Sequence, residues 1–229
     1  MSRRRLTPAQ AQAALHAAAP PSVPVASIGK TAPTPQQRTK PAPTGAGEVR
    51  IIGGQWRRTR LPVAIKPGLR PTPDRVRETL FNWLGQDLSG WRCLDAFAGT
   101  GALGLEAASR GAASVQLIEQ DATLVAQLQI LCQRLQASTV QLRRGDGVAQ
   151  LRQCPPASLD LVLLDPPFDS DFFQPALQAA VPALTAQGFI YLEAPTAWND
   201  AALAPLGLVL HRHLRAGAVH AHLLTQRQP

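Results

Sequence analysis

The stretch "LDAFAGTGALGLEA", from Leu94 to Ala107, decides the fold of this chain. It contains Gly99-x-Gly101-x-x-Gly104, a spacing typical of the tight turn between a buried strand and the helix that follows it. Glycine has no Cβ, so the backbone N–H groups of such a turn can approach a ligand closely. The spacing alone is weak support for any one ligand, because a dinucleotide site shows it as well. The residues around the loop must therefore identify the ligand.

Strand and helix patterns alternate from Trp91 to the C-terminus. Apolar, strand-like runs include "RCLDAF", "SVQLIE", "TVQLRR", "LDLVLLD" and "GFIYLEA", and helical patterns separate most of them. The last two runs, "GLVLHRHL" and "AVHAHLLTQ", flank a turn containing Gly217 and are predicted to pair with each other. We therefore predict an α/β, Rossmann-like fold with a mostly parallel central sheet, an antiparallel last strand, and ligands at the carboxyl ends of the strands.

Two further segments precede this core. Residues 1–47 are rich in Pro and Ala, and we predict that they form a disordered basic arm. Residues 48–229 are predicted to form one domain, in which 48–90 supply a small β-hairpin and a helix and 91–229 the Rossmann-like core. In "RPTPDRVRETLFNWL" we expect Thr72 to be the N-cap and Pro73 the first helical residue.

Positive charge is concentrated at the front of the chain. The net charge is +8, yet residues 79–229 hold nine basic and twelve acidic residues, whereas residues 1–47 hold six basic and none acidic. Such a basic leading edge suits a polyanionic partner, although a solvated hairpin face is the alternative explanation. The candidate phosphate-binding residues in and after the hairpin are Arg57, Arg58, Arg60, Lys66 and Arg70.

Cysteine usage and hydropathy bear on the compartment. The three cysteines form no CxxC motif, which is typical of reduced thiols, and no apolar run reaches the ~20 residues that a membrane span requires. We therefore expect a cytoplasmic protein without membrane contact.

The acidic residues around the glycine loop favour a cationic ligand. Asp95 stands just before the loop, where its carboxylate would repel the pyrophosphate of NAD but would suit an ammonium or sulfonium, as in S-adenosylmethionine. Glu119 ends the second strand, where an acid can accept both ribose hydroxyls of either kind of cofactor, so it does not distinguish between them. Asp146 after the third strand could meet the adenine amine. A helix cap or a surface charge is the alternative role for each acid. Phe97, Gly99 and Gly101 complete the candidate donor site.

The motif "LLDPPF" supplies the second half of the candidate site. Asp165 closes an apolar strand, and Pro166 and Pro167 stop its continuation while leaving their carbonyls as acceptors. A carboxylate and a carbonyl together match the two protons of an exocyclic base amine, and Phe168 can stack on the base plane. The combination predicts a nucleobase amine as methyl acceptor, and Asp165, Pro166, Pro167 and Phe168 as the catalytic set.

These motifs together resemble those of the bacterial 16S ribosomal RNA (guanine-N2)-methyltransferases of the RsmD type. The resemblance covers about residue 49 to the C-terminus and includes "RIIGGQWRRTRLPV", "GLRPTPDRVRETLFNWL", "LIEQD" and "DPPF". It implies a class I methyltransferase fold and S-adenosylmethionine as donor. It also implies a guanine amine of 16S rRNA, within a partly assembled small subunit, as acceptor. The sequence departs from the family in its longer N-terminal arm and in Ala221, where an aromatic residue is common.

We expect a mechanism without a metal or a covalent intermediate, in a monomeric enzyme. In it the guanine amine attacks the methyl group in line, and the protein contributes positioning and acceptor electrostatics.

Two alternatives stay open. One is an adenine-N6 DNA methyltransferase, which also uses Asp-Pro-Pro-aromatic, although the chain has no room for a separate target-recognition domain. The other is a non-catalytic RNA-binding scaffold that retains the fold.

Overall fold

The N-terminal hairpin forms where the sequence predicts it. The computed structural model describes residues 47–64, 66 and 71–227, so the predicted arm lies outside the described residues except for Gly47. Strands β1 (Glu48–Arg50) and β2 (Arg60–Pro62) pair antiparallel, with Val49 opposite Leu61. Val49 and Leu61 are both buried, so the hairpin packs its central pair into the core.

Helix α1 (Asp74–Trp83) follows, but its predicted cap is wrong. Pro73 occupies the N-cap position and no side chain caps the helix. Thr72 lies one residue earlier and is buried, and its hydroxyl is hydrogen-bonded to carboxyl groups of the central sheet instead. Val76 and Leu80 are buried on the inner face of this helix.

The core alternates strands and helices as expected. The elements after α1 are β3 (Arg92–Asp95), α2 (Ala102–Ser109), β4 (Ser114–Glu119), α3 (Ala122–Arg134), β5 (Val140–Arg144), α4 (Gly147–Arg152), β6 (Leu159–Leu164), α5 (Phe173–Ala183), β7 (Leu184–Ala194), α6 (Asp200–Leu203), a 3-10 turn (Ala204–Leu206), β8 (Leu208–Ala216) and β9 (Val219–Gln226). Asp121 caps α3 by accepting hydrogen bonds from the N–H groups of Thr123 and Leu124.

The described residues form a seven-stranded sheet in the order β5-β4-β3-β6-β7-β9-β8. The first five strands in this order pair parallel, while β9 is antiparallel to both β7 and β8. This confirms the predicted mostly parallel sheet with an antiparallel last strand. The strand order reverses between β3 and β6, and open α/β sheets bind ligands at the carboxyl ends of the strands on either side of such a reversal.

Helices cover both faces of the sheet, which explains why β6 is buried along its whole length. Leu161 and Leu163 face the side of α1, α2 and α3, while Val162 and Leu164 face α4 and α5. None of the helices in the described part of the chain combines the length and apolar character that a membrane crossing requires.

A buried carboxylate joins the hairpin to this core. Glu106 on α2 accepts hydrogen bonds from the backbone N–H groups of Ile52 and Gly53, both at 2.7 Å. It also accepts from Arg77 Nη1 at 3.2 Å and from Arg110 Nε at 2.8 Å. Glu106 and Arg77 are completely buried. Since both carboxylate oxygens are shared between a backbone donor and a guanidinium, the hairpin, α1 and α2 form one unit.

The "IIGG" sequence permits this close packing. Gly54 has a φ of +74°, and a Cβ on it would collide with the carbonyl oxygen of Ser109 on α2. Ser109 in turn donates its hydroxyl to the Gly53 carbonyl at 2.6 Å and accepts from the Trp56 N–H at 2.9 Å. The glycines are therefore required for contact with α2.

We predict that Glu106→Gln lowers the free energy of unfolding by about 3–5 kcal/mol, because it removes the ion-pair partner of the buried Arg110 guanidinium and leaves Arg77 with its ion pair to Asp74. Urea unfolding followed by circular dichroism measures this. Glu78→Gln, on the exposed face of α1, is the matched control and should change stability little. Equal stability of the two variants would show that Glu106 does not hold the hairpin to the core.

Candidate active site

The glycine loop connects β3 to α2. Gly99 and Gly101 have φ values of +53° and +78°, a region that favours glycine, and Gly101 is the N-cap of α2. Gly104 lies within α2, where a Cβ would collide with Leu117 Cδ2 on β4. The first two glycines therefore shape the turn, whereas the third allows the helix to approach the sheet.

Asp95 supports the loop from below. It is 1% exposed, and its Oδ2 accepts a hydrogen bond from the Gly104 N–H at 3.0 Å. Its other oxygen, Oδ1, is also buried and has no hydrogen-bond partner among the residues the structure describes. Burial raises the pKa of the Asp95 carboxyl to about 7. One oxygen thus braces the loop, and the other is an acceptor that suits a cationic ligand group.

Glu119 connects the ends of β3 and β4. Its Oε2 accepts from the Gly99 N–H and its Oε1 from the Asp121 N–H, both at 2.8 Å. The side chain is partly exposed, and a carboxylate offers about four lone-pair positions, so each oxygen retains one for a ligand hydroxyl.

Asp146 caps a helix, whereas Phe97 contacts the other loop of the candidate site. Asp146 is exposed and caps α4, accepting from the Ala149 N–H at 3.0 Å, which matches the alternative role considered for it. Phe97 is partly buried, and its ring lies 5.8 Å from that of Phe172, just after the Asp-Pro-Pro-Phe segment. The Phe97 contact brings the two loops of the candidate site together.

The Asp-Pro-Pro-Phe segment follows β6 directly. Asp165 is partly exposed, Pro166 is buried, and Phe168 is 38% exposed. The Pro167 carbonyl accepts from the N–H and the hydroxyl of Ser170, at 3.1 and 2.6 Å. Because that carbonyl closes a turn, Pro166 supplies the better candidate for a carbonyl acceptor beside Asp165.

Three carboxyl groups meet at the carboxyl ends of adjacent strands. Asp95 ends β3, Asp165 follows β6 and Glu193 lies near the end of β7. Burial is the main cause that raises the pKa of each, and for Asp165 the charges of Glu193 and Asp95 add to it. The Thr72 hydroxyl lies beside the carboxyl groups of both Asp165 and Glu193, and its one proton, donated to either group, opposes the rise in pKa. Tyr191 donates its hydroxyl to Glu193 Oε1 at 2.8 Å.

Sequence reasoning missed Thr72, Tyr191 and Glu193 as parts of this cluster. Near the end of the strand "GFIYLEA", Tyr191 and Glu193 are two residues apart and therefore lie on one face of the sheet. This alternation was the signal that could have identified them. For Thr72 the expected helix cap hid its contacts. Arg77 Nε donates a hydrogen bond to the Thr72 carbonyl at 3.2 Å. Because Arg77 also pairs with Glu106, the Glu106 network positions Thr72 as well.

A cavity of about 280 Å³ lies at the same edge of the sheet. It is bordered by Phe173 at the start of α5, by the segment that follows β7, and by Ala202 on α6. That segment comprises Pro195, Thr196, Ala197 and Trp198. The cavity is therefore next to the acceptor half of the site and has apolar and aromatic walls.

The predicted basic residues are distributed around the hairpin. Arg57 and Arg58 are exposed at its turn, and Arg60 is exposed and forms an ion pair with Glu48 at 3.1 Å. Lys66 forms an ion pair with Asp121 and lowers the pKa of that carboxyl to about 2. Arg70 lies outside the described residues. Arg57 and Arg58 are thus the clearest candidates for phosphate contact.

The raised pKa of Asp95 generates a pH-dependent prediction. The folded value of about 7 exceeds the ~3.9 of an unfolded chain, so the Asp95 contribution to stability is complete below pH 4 and is lost as the pH rises towards 7. Asp95→Asn removes this titration and keeps an oxygen for Gly104. The stability of the variant relative to wild type should therefore increase between about pH 4 and pH 7, which urea unfolding at both pH values measures. A constant difference would contradict the burial of an ionisable Asp95.

Comparisons with known proteins agree with this geometry. The family profile described as "Conserved hypothetical protein 95" matches residues 49–225. Ribosomal RNA small subunit methyltransferase D of Escherichia coli K12 is 42% identical over 191 residues, which are 82% of this chain and 95% of that protein. The protein of the same name from Haemophilus influenzae is 44% identical over 59% of this chain and 72% of its own length.

Solved structures show the same fold. The structure of yhhF from Escherichia coli superposes with a TM-score of 0.68 at 39% identity and covers 80% of this chain and 100% of its own. A structure from Haemophilus influenzae gives a TM-score of 0.65 at 33% identity with the same coverage. The fold is that of the class I methyltransferases, and the chain belongs to the RsmD family of ribosomal RNA methyltransferases.

Proposed function

We propose that this enzyme transfers a methyl group from S-adenosylmethionine to the exocyclic N2 amine of a guanine in 16S rRNA. One observation carries the proposal: a glycine loop backed by Asp95 and an Asp-Pro-Pro-Phe segment lie on β3 and β6, the strands on either side of the switch point. The name of the Escherichia coli relative supports ribosomal RNA of the small subunit as the substrate.

The donor half fits a cationic adenosyl ligand better than a dinucleotide. Asp95 offers a buried, unpartnered oxygen at the loop, where a pyrophosphate would be repelled and an ammonium would be bound. Glu119 retains lone pairs for ribose hydroxyls, and Phe97 and Gly99 border the same loop. When bound, S-adenosylmethionine supplies an electrophilic methyl group. A cation next to Asp95 would also lower the pKa of the neighbouring Asp165 carboxyl, because positive charge favours ionised acids.

The acceptor half orients a nucleobase amine. The Asp165 carboxylate and the Pro166 carbonyl accept the two amine protons, so the nitrogen lone pair points away from them and towards the donor loop. Phe168, 38% exposed, stacks on the base. Asp165 need not be a strong base, because the amine proton becomes acidic only as the nitrogen is alkylated. Catalysis then consists mainly of positioning and electrostatics.

The hairpin supplies the RNA-binding surface in this proposal. Arg57 and Arg58 project from its turn, and Glu106 attaches that turn firmly to α2, directly after the donor loop. The enzyme would act as a monomer on a partly assembled small subunit. A target guanine must leave its stack to reach the cleft, which costs a few kcal/mol, so an exposed or unpaired guanine is expected.

We predict that Asp165→Ala lowers the rate of methyl transfer on the order of 10²–10³-fold and leaves donor affinity nearly unchanged, because the carboxylate faces the amine. Single-turnover methylation of small subunits that lack the modification, together with calorimetric titration of S-adenosylmethionine, measures both. Asp165→Asn should be milder, since the amide oxygen still accepts a hydrogen bond. Asp169→Ala, four residues away and exposed, is the matched control. Wild-type rates in Asp165→Ala would exclude the proposed role.

Thr72 is predicted to position Asp165. Thr72→Val removes the hydroxyl at nearly constant volume and should lower kcat about tenfold, the ~1.5 kcal/mol of one hydrogen bond to a charged group. Because this hydrogen bond lowers the pKa of Asp165, its loss should move the acidic limb of the pH–rate profile to higher pH. Thr72→Ser should restore both rate and profile. A lower rate without the shift, or without rescue by Ser, would indicate a purely structural role.

A further inference from the structure

Three histidines gather on one face of the last hairpin, outside the site described above. His213 on β8 lies directly opposite His222 on β9, and His220 lies two residues before His222, so all three side chains point to the same side of the sheet. One ring nitrogen of each lies within 4.8 Å of the corresponding nitrogens of the other two. The proposed methyl transfer uses none of them.

The nitrogens of the two more exposed rings, those of His213 and His220, are already separated by nearly the distance between two metal ligands. His213 Nε2 and His220 Nδ1 are 3.0 Å apart. Two imidazole nitrogens bound tetrahedrally at about 2.0–2.1 Å lie about 3.3 Å from each other. A shift of a few tenths of an ångström would therefore place an ion between them. His213 is exposed and His220 partly exposed, so the pair is accessible to solvent.

The tautomer of His222 is determined by two backbone groups. The Trp198 N–H donates to His222 Nε2 at 3.0 Å, so this nitrogen carries a lone pair and Nδ1 carries the proton. Nδ1 then donates to the Leu192 carbonyl at 3.2 Å. A hydrogen bond from the second ring nitrogen to a carbonyl is the usual support of a metal-binding histidine.

We propose that His213, His220 and His222 form a site for a divalent ion of the zinc type. His213 Nε2, His220 Nδ1 and His222 Nε2 are the ligands, and water completes a tetrahedron. Neutral imidazoles favour zinc, copper and nickel over magnesium, which prefers oxygen ligands. Among the described residues, no cysteine belongs to a group of side chains that could hold an ion together.

Ion binding is coupled to the loop after β7. His222 Nε2 must exchange the Trp198 N–H for the ion, so the backbone at Trp198 moves when the site fills. Trp198 also lines the 280 Å³ cavity beside the Asp-Pro-Pro-Phe segment. The ion therefore changes the wall of that cavity, and the indole of Trp198 reports the change.

Calorimetric titration of the full reduced chain with Zn²⁺ tests the site. We expect one ion per chain. His213→Ala and His220→Ala should each weaken binding by about tenfold or more, since even supporting residues of metal sites contribute 10–100-fold. His16→Ala, far away in sequence, is the matched control and should bind as wild type does. Mg²⁺ should give no heat of binding.

A second measurement follows the loop. Zn²⁺ should change the tryptophan fluorescence of the wild type, and the change should disappear in Trp198→Phe, which keeps the backbone N–H and the calorimetric binding. Absence of Zn²⁺ binding by the wild type would overturn the proposal, as would unchanged affinity in both His213→Ala and His220→Ala. Either result would mean that the three rings only stack and form hydrogen bonds. The His213 ring lies 15° from parallel to that of His220 and 26° from parallel to that of His222. Neither affects the proposed methyl transfer, which is assayed separately.

Discussion

The buried carboxylate of Glu106 is the interaction on which the rest of the structure depends. It lies on α2, the helix that begins at the glycine loop, and it binds two backbone N–H groups of the hairpin and two arginines. A buried charge is costly unless it is fully paired, and here three of the four partners come from the hairpin and α1, while Arg110 caps the helix that carries Glu106. The hairpin, α1 and α2 therefore assemble together or not at all.

This assembly connects the N-terminal segment to the chemistry. Arg77, paired with Glu106, holds the carbonyl of Thr72, and the Thr72 hydroxyl reaches the carboxyl groups of Asp165 and Glu193. The segment that the sequence suggests only as an RNA-binding surface thus also contributes Thr72 to the candidate acceptor site. In the proposed function, the N-terminal segment would therefore both contact RNA and influence the ionisation of Asp165.

Electrostatics at the sheet edge follow from topology. Asp95, Asp165 and Glu193 come from three separate parts of the chain, and the strand order β3-β6-β7 makes them neighbours. Burial and mutual repulsion raise the pKa of the Asp165 carboxyl, which leaves the site ready for a cation. A positively charged donor of the kind proposed above would stabilise these acids in their ionised form.

The sequence by itself determined the order of strands and helices along the chain, the glycine turn, the antiparallel final strand and the two candidate ligand loops. These features depend on local periodicity and on residues such as Gly101 and Pro166 whose backbone preferences act over a few positions. Only the tertiary structure decided that the Thr72 hydroxyl contacts Asp165 and does not cap α1, and that Asp146 serves as a helix cap. The tertiary structure alone placed His213 beside His220 and His222, because the register of β8 against β9 determines which residues face each other. Such contacts join residues far apart in sequence, and their partners are chosen by packing, which no local pattern encodes.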